Sequence, residues 1–185
     1  MTFTIREAGA DDVPALADLA ARTWLDAFGA TVSPEDAASE AAEGRSEERL
    51  HRALAERTIL VADDGNALVG YVEFDDAELC RLYVETKLQG RGVGRALLDA
   101  ALANPRLANA ERVVLQVWDE NTRAVRLYES VGFRRIGTKQ FTIGNDVLED
   151  AVFALERDVP SPAGVAPRGW RGGSARATEH RQEAA

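Results

Sequence analysis

A short run of the chain combines three glycines at alternate positions with the start of a helix. Gly90, Gly92 and Gly94 follow the apolar stretch Leu79–Val84, and a predicted helix continues over Arg95–Leu102. Because glycine has no Cβ, the backbone N–H groups of such a loop can approach an anion closely. The helix start adds N–H groups without intrahelical partners and the positive end of the helix dipole. This pattern predicts a phosphate-binding loop.

A second pattern further along the chain opens another helix. Asn121 is a typical N-cap residue, and Ala124 and Tyr128 follow it on what should be the buried face of the helix. Gly132 stands where a helix usually ends. Tyr128 is therefore a candidate for chemistry or for core packing, and spacing alone leaves both interpretations open.

Other site chemistries fit the sequence poorly. A dinucleotide-binding fingerprint needs a glycine at position 95, where this chain has Arg95, and no Gly-Lys-Ser/Thr triplet of a P-loop is present. No nucleophile elbow is present either. Cys80 has no histidine close to it in sequence, and His51 and His180 lie far apart, so we expect no metal site.

The elements that must position these motifs alternate between strands and helices. A strand at Thr2–Arg6 precedes a helix from Val13 to Phe28, and a second helix after Ser33 is expected to break near Gly44. The remaining predicted elements are strands at Ile59–Ala62, Ala67–Phe74 and Glu78–Val84, the glycine-loop helix, a strand at Arg112–Trp118, the helix after Asn121, and a hairpin of Phe133–Ile143 and Glu149–Glu156 around Gly144-Asn145. The order βααβββαβαββ predicts an α/β fold with a mixed, mostly antiparallel central sheet and flanking helices.

Composition limits the classes of partner. The formal net charge of −9 argues against general nucleic-acid binding. No segment has the length and apolarity of a membrane span, and a single cysteine fits a reducing cytoplasm. We expect one domain over residues 1–158 and a disordered tail over 159–185, where Pro, Gly and polar residues dominate.

Two motifs together resemble a known family. Gln89-x-x-Gly92-x-Gly94, opening a helix, and the later run from Asn121 through Tyr128 to Phe133 resemble the two cofactor motifs of the GCN5-related N-acetyltransferases. The resemblance implies that acetyl-CoA binds, with its pyrophosphate on the glycine loop and its pantetheine arm along the preceding strand. The implied cofactor-binding residues are Leu82, Tyr83, Val84, Gln89, Gly90, Arg91, Gly92, Val93, Gly94, Arg95, Asn121, Ala124 and Tyr128. The strand before the loop and Arg112–Trp118 should run parallel and splay apart to admit the cofactor.

The implied reaction is direct attack of a neutral amine on a thioester. Only about one primary amine in a thousand is neutral at pH 7, so a base must remove a proton. Glu73, on an otherwise apolar strand face, and Glu78 are the candidate bases, and the sequence does not separate them. A backbone N–H near Val84 is the candidate oxyanion donor. By resemblance, Tyr128 is the candidate acid that protonates the departing thiolate.

The acceptor side of the site is expected between the first two helices and the last hairpin. Trp24, Phe28 and Phe141 are the candidate substrate-binding residues, beside an acidic segment at 35–48. Aromatic and acidic walls suit a small amine, and a loose likeness to the polyamine-acetylating branch suggests a polyamine. Two alternatives stay open: acetylation of a protein N-terminus or lysine, and a non-catalytic acetyl-CoA sensor. Members of the family often pair, so a homodimer is also an expectation.

Overall fold

The computed structural model of the protein describes residues 2–143 and 146–157. The strands are β1 (Thr4–Glu7), β2 (Thr58–Asp63), β3 (Leu68–Phe74), β4 (Leu79–Val84), β5 (Arg112–Trp118), β6 (Arg134–Ile143) and β7 (Asp146–Glu156). The helices are α1 (Val13–Phe28), α2 (Pro34–Glu43), α3 (Glu47–Glu56), α4 (Val93–Ala103), α5 (Pro105–Ala108) and α6 (Thr122–Ser130). The predicted turn at Gly144-Asn145 and the predicted tail at 159–185 lie outside the described residues.

The strands form two sheets. The first is an antiparallel meander of order β1-β2-β3-β4, and the second has the order β5-β7-β6 with both pairs antiparallel. Within the described residues the two sheets meet at one parallel bridge, between Glu78 and Val114. The predicted mixed, mostly antiparallel architecture with flanking helices is confirmed. The parallel pairing expected between β4 and β5 is limited to that single bridge.

Two serines fix the starts of α2 and α3. The Ser33 side chain accepts a hydrogen bond from the N–H of Asp36, and the Ser46 side chain accepts one from the N–H of Arg49. Such caps satisfy N–H groups that a helix start leaves without partners. The predicted break near Gly44 therefore separates two helices.

Some boundaries differ from the sequence prediction. The short helix α5 was not predicted; it begins because the Asn104 side chain accepts a hydrogen bond from the N–H of Arg106. Strand β7 begins at Asp146 rather than Glu149, because pairing with β6 continues to Ile143. Both differences add residues to regular structure without changing the order of the main elements.

The core has two clusters, one on each face of the sheets. Helix α4 packs Leu97, Leu98 and Ala101 in the first cluster, where α6 adds Ala124 and Tyr128. Helices α1 and α3 supply the second cluster with a set that includes Leu16, Leu19, Trp24, Phe28 and Leu50, against Tyr71 and Tyr83 of the meander. The two faces thus separate the glycine-loop helix from the helices predicted to bind the acceptor.

Candidate active site

Strand β4 is paired along only one edge. The N–H of Glu85, directly after the strand, donates to the carbonyl oxygen of Val69 at 2.9 Å. Because successive N–H groups of a strand point to opposite edges, those of Leu82 and Val84 point away from β3 and toward β5. No strand in the described part of the chain pairs with Leu82 or Val84 on that side. The end of β4 therefore offers the free edge that an extended ligand can join.

A cavity of about 390 Å³ opens where β4 and β5 separate. It lies between the end of α1, the end of β4, the glycine loop and the start of α6. Its lining includes Thr23, Asp26, Phe28, Tyr83, Val84, Thr86, Gln89, Trp118, Glu120, Asn121 and Arg123. The cavity thus brings together residues predicted to bind the cofactor and the acceptor.

The glycine loop has the backbone geometry of an open anion site. Gly90 and Gly92 adopt positive φ angles of 76° and 87°, which residues with a Cβ rarely adopt. No described atom lies within 4 Å of the position that a Cβ would occupy at either residue. Gly92 precedes α4, so the helix begins at Val93, two residues earlier than predicted, and Gly94 lies in its first turn. The first-turn N–H groups of α4 supply the donors of a phosphate site.

The arginines near this loop differ in what they contact. Arg95 donates from Nε to both carboxylate oxygens of Asp99 at 2.9 Å, whereas the exposed Arg91 side chain has no partner among the described residues. Arg123 donates from Nη1 to Oε1 of Gln89 at 2.5 Å. Arg123 was not among the predicted site residues, although its position two residues after the helix cap Asn121 places it at the start of α6. This hydrogen bond ties the start of α6 to the glycine loop.

Helix α6 places its two predicted site residues at different depths. Asn121 accepts a hydrogen bond from the N–H of Ala124 at 3.1 Å and also lines the cavity. Tyr128, one turn beyond Ala124, is fully buried and packs edge-on against Phe133, with ring centres 5.7 Å apart. Tyr128 therefore lies in the core behind the cavity rather than in its lining.

Glu73 is held in a cluster of arginines. Its carboxylate is fully buried and accepts hydrogen bonds from Arg49 at 2.5 and 2.6 Å, Arg57 at 2.7 Å and Arg81 at 3.3 Å. Burial by itself raises the pKa of Glu73, but the three guanidinium groups outweigh it and lower the pKa to about 2. A carboxylate so strongly paired is a poor proton acceptor. Neither Glu73 nor Glu78 lines the cavity, so their surroundings rather than their position separate them. This geometry does not favour Glu73 as the base.

Glu78 has the opposite environment. It is partly buried just before β4, and its Oε1 accepts a hydrogen bond from Nε2 of Gln116 at 3.3 Å. Burial and the nearby carboxylate of Asp75 raise the pKa of Glu78 above its ordinary value. A raised pKa brings a carboxylate closer to the range in which a general base works near neutral pH.

Of the three residues predicted to bind the acceptor, only one lines the cavity. Phe28 lines the cavity and packs edge-on against Trp118, with ring centres 5.5 Å apart. Trp24 is fully buried behind it, and the Arg45 guanidinium lies 4.6 Å from the centre of its ring. Phe141 is partly buried beside the same core cluster and is not part of the lining. Phe28 is thus the predicted acceptor residue that reaches the cavity.

Two cavity acids were not identified from the sequence. Asp26 accepts a hydrogen bond from Oγ1 of Thr86 at 2.7 Å, and Glu120 follows β5. Next to them, Arg22 donates to Glu85 at 2.6 Å and ties α1 to the segment after β4. Asp26 lies two residues before the predicted end of its helix, but only the fold shows which face of α1 meets the cavity.

The fold and this cavity define an N-acetyltransferase. The family model for the acetyltransferase (GNAT) domain matches residues 29–148. An uncharacterized N-acetyltransferase of Mycobacterium tuberculosis is 35% identical over 152 residues, which cover 78% of this chain and 97% of the relative. The chain belongs to the GNAT acetyltransferase family.

Two further comparisons add detail. A mycothiol acetyltransferase of Beutenbergia cavernae is 45% identical over 80 residues, which cover 40% of this chain and 27% of that protein. The crystal structure of the PaiA N-acetyltransferase from Thermoplasma acidophilum, in complex with coenzyme A, matches with a TM-score of 0.72 and 22% identity over 85% of this chain and all of that one. At that identity the structural match supports the fold. The predicted likeness to the polyamine branch in particular finds no specific support in these relatives.

Within residues 2–143 and 146–157, none of the helices combines the length and the apolarity required to cross a bilayer. The same residues contain no group of three or more His, Cys, Asp or Glu side chains placed to hold a metal ion.

Proposed function

We propose that the protein transfers the acetyl group of acetyl-CoA to a primary amine of a small molecule, by direct attack within a ternary complex. Polyamines are one acceptor class that fits. The observation that carries the proposal is the cavity at the end of β4. There a free strand edge and a glycine loop meet aromatic and acidic side chains from α1 and β5.

The residues present fit acetyl-CoA. The open loop at Gly90 and Gly92 and the first turn of α4 offer N–H groups to a pyrophosphate. The edge at Leu82–Val84 offers backbone groups to an extended pantetheine arm, in the manner of an added strand. Asn121 and Arg123 line the cavity between these two features. When bound, acetyl-CoA supplies an activated acetyl thioester.

Glu78 is the base in this proposal. Its raised pKa favours proton uptake, whereas the arginine cluster keeps Glu73 ionised and engaged. Glu78 precedes Leu82 by four residues, about 13 Å along a strand, so the proton of the amine reaches it through a chain of water molecules. Gln116 of β5 donates a hydrogen bond to Glu78 and so fixes the position of the carboxylate beside the second sheet.

Backbone and tyrosine groups complete the proposed chemistry. The outward N–H groups of Leu82 and Val84 are fixed donors for the negative charge that develops on a carbonyl oxygen. Tyr128, on the helix that begins at Asn121, donates the proton that the leaving thiolate requires. Because Tyr128 is buried, its hydroxyl is shielded from bulk water.

The cavity wall supports a cationic small-molecule acceptor. Asp26 and Glu120 place carboxylates at the rim, and Phe28 and Trp118 form an aromatic wall. Carboxylates attract an ammonium group, and aromatic faces bind cations at short range. The likeness to a mycothiol acetyltransferase over part of the chain agrees with a small acceptor.

We also propose a cytoplasmic location. The chain contains a single cysteine, Cys80, and that thiol is buried. Proteins of oxidising compartments usually pair their cysteines, so this composition supports a reducing compartment.

The decisive experiment is a CoA-release assay with a panel of polyamines, amino acids, aminoglycosides and short peptides. We expect turnover with at least one small amine, and we expect Tyr128→Phe to lose most of that turnover while still binding acetyl-CoA in calorimetry. Tyr71→Phe is the matched control, because Tyr71 is equally buried but lies outside the proposed machinery.

Turnover with peptides alone would replace the small-molecule acceptor by a protein acceptor. A third result would be tight binding of acetyl-CoA without turnover on any acceptor, in the wild-type chain and in Tyr128→Phe alike. That result would favour a sensor and would overturn the assignment of Tyr128 as the acid.

A further inference from the structure

A second cavity lies on α3, outside the site described above. Its volume is about 250 Å³, and it is lined by Arg49, Arg52, Ala53, Glu56 and Arg57. None of these residues lines the cavity between β4 and β5. Three arginines and one acid thus surround a pocket to which the proposed acetyl transfer assigns no role.

The floor of this cavity carries more positive than negative charge. Arg49, Arg57 and Arg81 all pair with the single carboxylate of Glu73, and their side chains are only 11%, 17% and 3% exposed. Glu73 carries one negative charge, so it cannot balance both Arg49 and Arg57, and Arg52 adds a third positive charge to the lining. Buried charge is costly unless it is paired, and this surplus favours an anion at the surface of the cluster.

The guanidinium groups of Arg49 and Arg57 also have N–H donors that the Glu73 carboxylate does not use. Arg49 contacts Glu73 through Nη2 alone and Arg57 through Nη1 alone, which leaves the other nitrogens of both without acceptors among the described residues. Arg52 is exposed and makes no hydrogen bond or ion pair with the described part of the chain. Each guanidinium has five N–H donors in a planar fork that matches phosphate or carboxylate oxygens.

The nearby acids do not use up this surplus. Glu56 is the one acid in the lining. Asp76 accepts a hydrogen bond from Arg106, whose guanidinium also donates to the carbonyl oxygen of Glu56 at 3.2 Å. Arg106 and Asp76 therefore balance each other beside the same helix end and leave the surplus unchanged.

We propose that the cavity formed by Arg49, Arg52 and Arg57 binds a phosphate dianion, either free or as a phosphomonoester. A tetrahedral oxyanion can accept hydrogen bonds from all three forks at once, and its negative charge pairs with the surplus of the lining. A water molecule takes about 30 Å³ of liquid, so the cavity also has room for the anion with several waters.

Calorimetric titration of the full chain with sodium phosphate, at constant ionic strength and without CoA, tests the proposal. We expect saturable binding to the wild-type chain and about ten-fold weaker binding to Arg52→Gln, which removes one charged fork from an exposed position. Arg126→Gln is the matched control, because Arg126 is an exposed arginine on α6 with no partner among the described residues. It should bind phosphate as the wild-type chain does.

A second titration with glycerol phosphate distinguishes the two sources. Tighter binding than that of inorganic phosphate identifies a phosphomonoester, and weaker binding identifies free phosphate as the ligand. Phosphate binding that Arg52→Gln leaves unchanged would belong to the glycine loop and would overturn the proposal. The absence of saturable binding would overturn it as well. Neither result bears on acetyl transfer, which depends on the other cavity.

Discussion

Glu73 and Glu78 lie on either side of one tight turn, yet their surroundings shift their pKa values in opposite directions. Glu73, at the end of β3, faces α3 and meets three guanidinium groups, so its pKa falls to about 2. Glu78, just before β4, faces β5; burial and the Asp75 carboxylate raise its pKa, although the hydrogen bond from Gln116 opposes that rise. The fold uses one carboxylate as a structural counter-charge and leaves the other able to take up a proton.

The difference comes from what each part of the meander packs against. Around Glu73 the sheet is continuous, with Glu73 opposite Arg81 in the β3–β4 register. Beside Glu78 the second sheet touches the first at one bridge and then diverges from it. The close packing around Glu73 favours a charge that is paired with arginines. The divergence of the two sheets beyond Glu78 leaves space for a ligand. Three substitutions test this contrast.

The largest effect is expected from Glu73→Gln. Removing the carboxylate leaves three largely buried guanidinium groups without their counter-charge, which should lower the free energy of unfolding by about 3–5 kcal/mol. Urea denaturation at pH 7 measures this loss. An unchanged stability would mean that the arginine cluster does not depend on Glu73.

The same variant has a pH signature. Because folding lowers the pKa of Glu73 from 4.5 to about 2, its stabilising effect is complete above pH 4.5 and is lost as the pH falls toward 2. The stability difference between the wild-type chain and Glu73→Gln should therefore shrink over that range. A difference independent of pH would contradict the pairing.

Glu78→Gln should give the opposite phenotype, with slower turnover and an intact fold. Loss of a general base costs about 100-fold or more in kcat/KM. Because the pKa of Glu78 is raised, the acidic limb of the wild-type pH–rate profile should lie above the ordinary range of glutamate and disappear in the variant. The free energy of unfolding at pH 7 should not fall, since ionising Glu78 already opposes folding.

Glu111→Gln is the matched control for that assay, because Glu111 is exposed and remote from the cavity. Full activity in Glu78→Gln would remove Glu78 from the mechanism and leave Asp26 and Glu120, the two acids of the cavity lining, as the candidate bases.

The smallest effect is expected from Tyr71→Phe. Tyr71 stacks on Tyr83 behind the cavity, and its buried hydroxyl has no hydrogen-bond partner within the described structure. Burial raises the pKa of Tyr71 to about 12, so the group stays neutral. Removing an unsatisfied buried hydroxyl should stabilise the fold by about 1 kcal/mol, measured by urea denaturation. A loss of stability would reveal a partner for this hydroxyl.

Local sequence signals predicted the main elements and the two cofactor motifs. The cap at Asn121, the proline in the first turn of α1 and the serine caps of α2 and α3 each act within a few residues, so sequence alone identifies them. Gly132 ends α6 with a positive φ of 102°, which is again a local property. Local chemistry therefore accounts for the order of the elements and for the glycine loop.

The environments of the two glutamates could not be predicted in the same way. The arginines that hold Glu73 come from α3, from the residue after α3 and from β4, and only the strand register brings them to one point. The contact of Glu78 with Gln116 depends on how β5 approaches β4. An apolar strand face with one acid predicted a functional carboxylate at Glu73, but it could not show that three arginines surround this carboxylate.

The free edge of β4 has a consequence for the stability of the protein in a cell. A ligand that pairs with Leu82–Val84 joins two sheets that otherwise share one bridge within the described chain, so it binds the folded state and has no site on the unfolded one. Mass action then links folding to ligand supply, with about 2.7 kcal/mol of added stability at a ligand concentration 100 times Kd. The lifetime of the folded protein would accordingly follow the local abundance of its acyl donor.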